Sequence, residues 1–351
     1  MLAKVVLAAK RPLIIGVTGS VGKTTTTYTL ASVLSHPRVA PFVGVVGFAR
    51  ENMNNHDGIP LTILRRGWLT KGGLLVRARG IAGAFVRFGR TLLARNYPDV
   101  LVLEMGTGEP GQLARITDLA RPDIGVLTTV GPAHLEKLGT VDNVFREKLT
   151  VLSAVPKQGL AITGEIPDYR AEIAAEVTAP VVVAHGEGQE LARNIAVIIG
   201  RHFGASDEAL EDALATVELP EGRLSRTEAG SMTVIDDSYN ANPLSMNLKS
   251  FAEQAAPGRR RVAVLADMLE LGSEARRYHE EIGAYAREMA DVLVGVGELA
   301  RHYQPQHWFA NADECARGID RIVAPGDIVF VKGSGGMEMA KVVKQLAEGV
   351  G

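Results

Sequence analysis

Cysteine is almost missing from this 351-residue chain, with Cys315 standing alone, so an intramolecular disulfide and a cysteine-built zinc site are both excluded. Net charge is almost missing too: 38 Lys and Arg face 40 Asp and Glu, and the balance of −2 offers no overall attraction to nucleic acid. The N-terminal apolar stretch Val5-Val6-Leu7-Ala8-Ala9 is too short to span a bilayer and leads straight into a glycine loop. That argues against a cleaved leader and for a cytoplasmic chain. Internal repeats and low-complexity tracts are also lacking. One absence is local. Between Asp57 and Asp99 there is no acidic residue, while Arg65, Arg66, Lys71, Arg77, Arg79, Arg87, Arg90 and Arg95 supply eight positive charges. Ile81, Phe85, Phe88, Leu92 and Leu93 fall at spacings that suit one apolar helix face. The stretch from 65 to 95 therefore reads as a solvated helix packed on its domain, or as a basic face for an anionic membrane or a phosphorylated acceptor.

What is present is an ordinary globular composition, 46% hydrophobic and 22% charged, on a chain longer than one core usually supports. Two domains are expected, 1–222 and 223–351. Apolar runs alternate with amphipathic stretches throughout, which predicts α/β architecture with mostly parallel sheets. In the first part, Pro12–Val17, Val100–Leu103 and Ile124–Val130 read as buried strands. In the second, Thr233–Ile235, Val262–Leu265, Val292–Val296 and Ile328–Val331 repeat the rhythm and predict a Rossmann-like domain.

Thr18-Gly19-Ser20-Val21-Gly22-Lys23-Thr24-Thr25 lies between the first of these strands and a helical stretch, Thr26–Leu34. Strand, glycine loop and helix in that order predict a P-loop NTPase-like domain with a nucleoside triphosphate site. Backbone amides and the positive helix end face phosphate oxygens, Lys23 adds a mobile charge, and the Thr24 hydroxyl can hold Mg²⁺. The first glycine of the strict pattern falls on Val17, so the match is imperfect. Gly19, Ser20, Val21, Gly22, Lys23, Thr24 and Thr25 are the nucleotide-binding candidates, with a nucleoside triphosphate and Mg²⁺ expected.

The rest of the chain narrows the reaction. Asn52-Met53-Asn54-Asn55, Glu104-Met105-Gly106, Gly131-Pro132-Ala133-His134-Leu135-Glu136 and Glu147-Lys148 follow the loop in order. Asp236-Asp237-Ser238-Tyr239-Asn240-Ala241-Asn242-Pro243, Ala266-Asp267-Met268-Leu269-Glu270-Leu271-Gly272 with His279, and Val331-Lys332-Gly333-Ser334 continue the series. Together they resemble the Mur ligase family over nearly the whole chain, most closely its branch that adds D-alanyl-D-alanine in peptidoglycan and cell-wall precursor synthesis.

The resemblance implies an ATP-dependent amide ligase working through an acyl phosphate, with a small-molecule carboxylate acceptor, an amino acid or dipeptide as amine, and no nucleic acid. It implies Lys23, His134 and Lys148 as catalytic groups and Thr24, Glu104, His134 and Lys148 around magnesium, Lys148 as a carbamate. On chemistry alone His134 is an uncommon magnesium ligand, and a helix-start or core histidine is its bland alternative. Arg223, Asp237 and Asn242 are implied at the nucleotide; a linker arginine, a turn aspartate and a cap asparagine are the alternatives. Asn54, Asn55, Lys332 and Ser334 are implied at substrate. The phosphate loop stands close to the N-terminus, so the separate domain with which the family holds a UDP group is expected to be absent. Gly335-Gly336 follows Ser334 where the branch often carries arginine, the natural clamp for a dipeptide carboxylate. Two other readings stay open: a family member serving an acceptor without UDP, and a P-loop regulatory ATPase that ligates nothing.

Overall fold

A computed structural model describes residues 2–49, 53–64, 88–246, 248–254 and 258–348. Of the basic stretch, Arg65, Arg66, Lys71, Arg77, Arg79 and Arg87 lie outside the described residues, as does Asn52, while Arg90 and Arg95 are exposed. No helix among the described residues is long and apolar enough to cross a membrane. The chain divides into two compact units, one made of Met1–Val130 with Asp142–Glu218, the other of Gly131–Val141 with Leu219–Gly351.

The first unit is a six-stranded sheet built from β1 (Leu13–Thr18), β2 (Val46–Phe48), β3 (Val100–Glu104), β4 (Ile124–Leu127), β5 (Leu160–Thr163) and β6 (Val181–Val183). Its order is β2-β3-β1-β4-β5-β6, and every pairing is parallel. Parallel strands need helical crossovers, which cover both faces and make the central strands apolar throughout. Alternation assigns the faces. Ile15, Val17 and Val102 join Leu30, Val33 and Leu34 of helix Lys23–Ser35 and Ile195 and Ile199 of helix Gly188–His202. Ile14, Leu101 and Leu103 turn the other way, to Ile59, Leu113 and Ile116. The expected Ile124–Val130 strand stops at Leu127, because Thr128 and Thr129 turn their hydroxyls onto the phosphate loop.

The second unit has β7 (Ser225–Ala229), β8 (Met232–Asp237), β9 (Arg261–Ala266), β10 (Val292–Val296), β11 (His307–Phe309) and β12 (Ile328–Lys332) in the order β11-β10-β9-β12-β8-β7. Only β7 runs antiparallel, forming a hairpin with β8 through Gly230 at φ +62°. Its core joins Val234, Val264, Val296 and Val331 to Val342 and Leu346 of helix Ala340–Glu348. Both sheets gather their polar positions at the carboxyl ends of central strands, where open α/β sheets bind ligands.

Candidate active site

In the first unit the phosphate loop joins β1 to helix Lys23–Ser35. Gly22 sits at φ +84°, a left-handed turn that lets the chain enter the helix directly. At Gly19 a side-chain carbon would lie 1.9 Å from the Thr128 hydroxyl, so only glycine allows this approach. The loop is anchored to the end of β4: Ser20 N–H donates to the Thr129 carbonyl at 2.8 Å and Val21 N–H to the Thr129 hydroxyl at 3.0 Å. The Thr128 hydroxyl donates to the Val21 carbonyl at 2.5 Å.

The loop motif by itself predicts that all its amides face phosphate. The structure turns those of Ser20 and Val21 to Thr129, while Lys23, Thr24 and Thr25 lie in the first turn of the helix. First-turn amides have no intrahelical acceptor and carry the positive end of the dipole. Lys23 Nζ donates to the Gly19 carbonyl at 2.8 Å, folded over the loop it serves.

Register then supplies the carboxylate. β1 and β3 pair with Val17 opposite Glu104, so Glu104 emerges beside the loop. The Thr24 hydroxyl donates to Glu104 Oε2 at 2.8 Å, and Asn54 Nδ2 donates to Glu104 Oε1 at 2.9 Å. The Asn54 backbone carbonyl accepts the Gly106 N–H at 2.7 Å, which ties the 54 loop to the end of β3. Asn55 acts locally: its side-chain oxygen accepts the N–H groups of Asp57 and Gly58 and starts helix Gly58–Ile63.

Glu147 and Lys148 follow one another on helix Val141–Ser153, are both buried, and have opposite fates. Glu147 accepts the N–H groups of Gly111 at 2.7 Å and Leu113 at 2.8 Å, holding the start of helix Gln112–Leu119 as a carboxylate suits a helix N-terminus. Lys148 is fully buried and its amine has no hydrogen-bond partner among the described residues. Burial, reinforced by the Lys23 charge and opposed by Glu147, drives its pKa well below the ordinary lysine value. Burial thus favours the neutral amine, the form that is a nucleophile. A sequence reading of the Arg146-Glu147-Lys148-Leu149 stretch alone gives a solvated face; only packing reveals the buried amine.

In the second unit, His134 starts helix Leu135–Leu138 in the left-handed region at φ +55°. Its Nδ1 lies 2.5 Å from Glu270 Oε2, and that hydrogen bond, ahead of other causes, holds the Glu270 carboxyl below the usual carboxylate range. Lys332 is buried and its ammonium donates to Asp237 and, at 3.0 Å, to the Asn240 carbonyl. The substrate role expected of Lys332 thus meets an ammonium that fastens the turn after β8. Asn242 forms a capping box with Ser245 on the short helix Pro243–Ser245, the cap alternative. Arg223 stacks its guanidinium 3.7 Å over the Tyr239 ring. The Ser334 hydroxyl accepts the Leu269 N–H at 2.9 Å and donates to the Ala241 carbonyl at 3.3 Å.

His279, which the sequence motif includes without a role, is buried. Its Nδ1–H donates to the Ala275 carbonyl at 2.6 Å, and Nε2 accepts the Met268 N–H at 3.0 Å. Burial lowers its pKa, so it is a neutral brace for the loop after β9. Thr128 and Thr129 are positioning residues that motif reading passes over, and Glu147 is one that it includes without a role. The available signal is their place, at the end of a central strand or beside the lysine.

The donors fit a magnesium site of the kind that keeps waters and shares phosphate oxygens. Thr24 and Glu104 bring hard oxygen atoms together, and no cluster of three His, Cys, Asp or Glu side chains among the described residues forms a dedicated cage.

Comparisons with known proteins identify the family. Residues 17–67 and 89–208 match the Mur ligase middle domain, and residues 222–335 match the Mur ligase glutamate ligase domain. A UDP-N-acetylmuramoyl-tripeptide–D-alanyl-D-alanine ligase of Bacillus subtilis is 26% identical over 99% of this chain and 78% of its own length. One from Mycobacterium leprae is 30% identical over 92% of this chain and 71% of its own. Among solved structures, the MurF ligase of Thermotoga maritima in complex with ADP superposes at TM-score 0.79 with 23% identity, over 99% of this chain and 83% of that one. Escherichia coli FolC in complex with ADP shares the fold at TM-score 0.68 and 19% identity, over 99% of this chain and 92% of that one. Two family domains in chain order, and a relative at 30% identity covered over 71% of its length, establish that this chain belongs to the Mur ligase family of ATP-dependent, amide-forming ligases, whose usual cofactors are ATP and Mg²⁺.

Proposed function

We propose that this chain couples ATP cleavage to amide formation between D-alanyl-D-alanine and a carboxylate on a peptidoglycan-precursor peptide, acting in the cytoplasm. The acceptor carboxylate attacks the γ-phosphorus, the bond to the bridging oxygen breaks, and an acyl phosphate and ADP result. The dipeptide amine then adds to the acyl carbon, loses a proton, and expels phosphate from the tetrahedral intermediate. Little covalent work falls to the protein, so charge neutralisation and alignment dominate. The first-turn amides and Lys23 neutralise phosphate oxygens. Thr24 and Glu104 would hold Mg²⁺, with Lys148 as a carbamate beside them, and His134 is proposed as a metal ligand on the family resemblance. When bound, Mg²⁺ screens the negative charge that otherwise repels an attacking carboxylate. Asn54 fixes the Glu104 carboxylate.

The observation that carries the ligase mechanism is Lys148. In its neutral form, which burial favours, this amine adds to carbon dioxide with loss of one proton, and the resulting carbamate supplies anionic oxygen donors. A plain switch ATPase has no need of it. The D-alanyl-D-alanine amine is supported by the names borne by relatives that align across both units. Asp237 and Asn242 are proposed at the nucleoside, Arg223 at the phosphates, and Asn55 and Ser334 beside substrate. The exposed Arg90 and Arg95 are proposed to meet a phosphorylated or membrane-borne acceptor.

A phosphate-release screen with mass detection of product tests this reading. The purified chain is given ATP, Mg²⁺, D-alanyl-D-alanine or single amino acids, and a UDP-linked tripeptide or other peptide carboxylates. ATP-dependent condensation of D-alanyl-D-alanine supports the reading. A product with a different acceptor moves the assignment to the other family reading, and ATP hydrolysis without any condensed product moves it to a regulatory ATPase.

A further inference from the structure

Val21 is gripped at both of its backbone groups by side chains just past the end of β4. Its N–H donates to the Thr129 hydroxyl at 3.0 Å. Its carbonyl accepts the Thr128 hydroxyl at 2.5 Å and the Thr129 hydroxyl at 3.3 Å. A threonine hydroxyl has one proton and two lone pairs, so Thr129 can accept from the Val21 N–H and donate to the Val21 carbonyl together. Its backbone carbonyl also takes the neighbouring Ser20 N–H at 2.8 Å. The two threonines stand on a fixed base: Thr128 is fully buried, and its N–H donates to the Thr18 carbonyl at 2.9 Å. Every group in this clasp belongs to the first unit.

We propose that Thr129 is a positioning residue for nucleotide binding: its hydroxyl clasps Val21 and gives the loop 19–25 its shape before a phosphate group arrives. The proposal rests on the reading of 19–25 as the phosphate loop. A loop with two glycines has many conformations open to it, and ordering them costs entropy. Where the fold has already ordered the loop, binding is spared that cost, which is the general advantage of preorganisation. Val21 is then the fixed point of the loop, since hydroxyls already engage both its N–H and its carbonyl. From it the chain turns through Gly22 at φ +84° into helix Lys23–Ser35. Loss of the hydroxyl frees the loop without opening the core.

The test uses the full chain with Thr129→Val, which keeps the side-chain shape and loses the hydroxyl, and Thr129→Ser, which keeps the hydroxyl. ADP binding is measured by isothermal titration calorimetry in EDTA, so that no divalent cation contributes, on protein that a urea melt shows to be folded. Thr129→Val should bind ADP about tenfold more weakly than the parent, the scale on which one unsatisfied donor acts. Its Val21 amide should exchange with solvent about tenfold faster or more, and Thr129→Ser should stay within about threefold of the parent in both measurements. Unchanged ADP affinity in Thr129→Val, while Lys23→Ala weakens it, overturns the proposal. A purely structural clasp gives that result, with a lower urea midpoint and the affinity of the folded protein intact. Equal weakening in Thr129→Ser also overturns it, because the hydroxyl is then not the group that matters. Unchanged ADP affinity in Lys23→Ala instead overturns the phosphate-loop reading beneath it, and exchange at Val21 still reports on the clasp.

Discussion

Among the described residues each unit buries one lysine, and the two are opposites. Lys332 is enclosed with Asp237 and the Asn240 carbonyl around its ammonium, while Lys148 is enclosed with no hydrogen-bond partner among the described residues. Burial lowers the pKa of both, and for Lys332 the Asp237 charge and hydrogen bond oppose that effect. A paired buried lysine is part of the fold, since removing either member strands a charge. A lone buried amine costs stability and gives the fold nothing in return. Its burial within reach of the Lys23 charge is what makes it the candidate for chemistry, whereas Lys332 is accounted for by its partners.

The largest effect that could break the comparison is on turnover. Lys148→Met should lower the rate of amide formation by about 10³-fold or more, the scale on which one charge-stabilising group acts in transfer reactions. Its stability to urea should hold or rise, by up to about 1–3 kcal/mol, because an unsatisfied buried amine is replaced by an apolar chain of similar length. Turnover within tenfold of the parent would make Lys148 a packing residue like any other.

The second effect is on stability and falls on the other unit. Lys332→Met leaves Asp237 buried without its partner, and urea melts should show a loss of about 3–5 kcal/mol. Adding Asp237→Asn should recover much of that loss. If the single variant is as stable as the parent, Lys332 is not the structural member of the contrast.

The smallest expected effect concerns pH. His279 is held neutral in the fold, with a pKa below its ordinary 6.5. The unfolded chain therefore takes up a proton first on acidification. The stability this residue supports is complete above pH 6.5 and drains as pH falls from there toward the folded pKa. His279→Gln should flatten the stability profile of the second unit in that window, by a slope of no more than one proton. An unchanged profile would assign the acid sensitivity elsewhere.

Much of the site could be read before the fold. The strand, loop and helix around Lys23 were legible because glycine spacing, an apolar run and a lysine-threonine pair are local signals. Glu104 was legible as a polar residue ending an apolar strand, and it lands opposite Val17 beside the loop. β6 was not legible as a sheet edge: three valines suggest a buried strand, yet Val181, Val182 and Val183 are all exposed. β7 was missed for the opposite reason, since Ser225–Ala229 is largely polar and pairs only as a hairpin edge. Nor was the inward turn of the Ser20 and Val21 amides legible, because their acceptor lies over a hundred residues away on Thr129.

By itself, then, the sequence determined the periodicity of two parallel α/β sheets, the phosphate loop, and the order of motifs that mark a Mur ligase. Those are properties of neighbours along the chain, set by side-chain alternation, glycine freedom and strand-to-helix polarity. The tertiary structure alone decided which buried lysine is paired, which acid meets the His134 ring, and which loop amides turn to Thr129. Burial and hydrogen-bond partners come from residues far apart in sequence, and it is desolvation and those partners that set the charge state of a side chain.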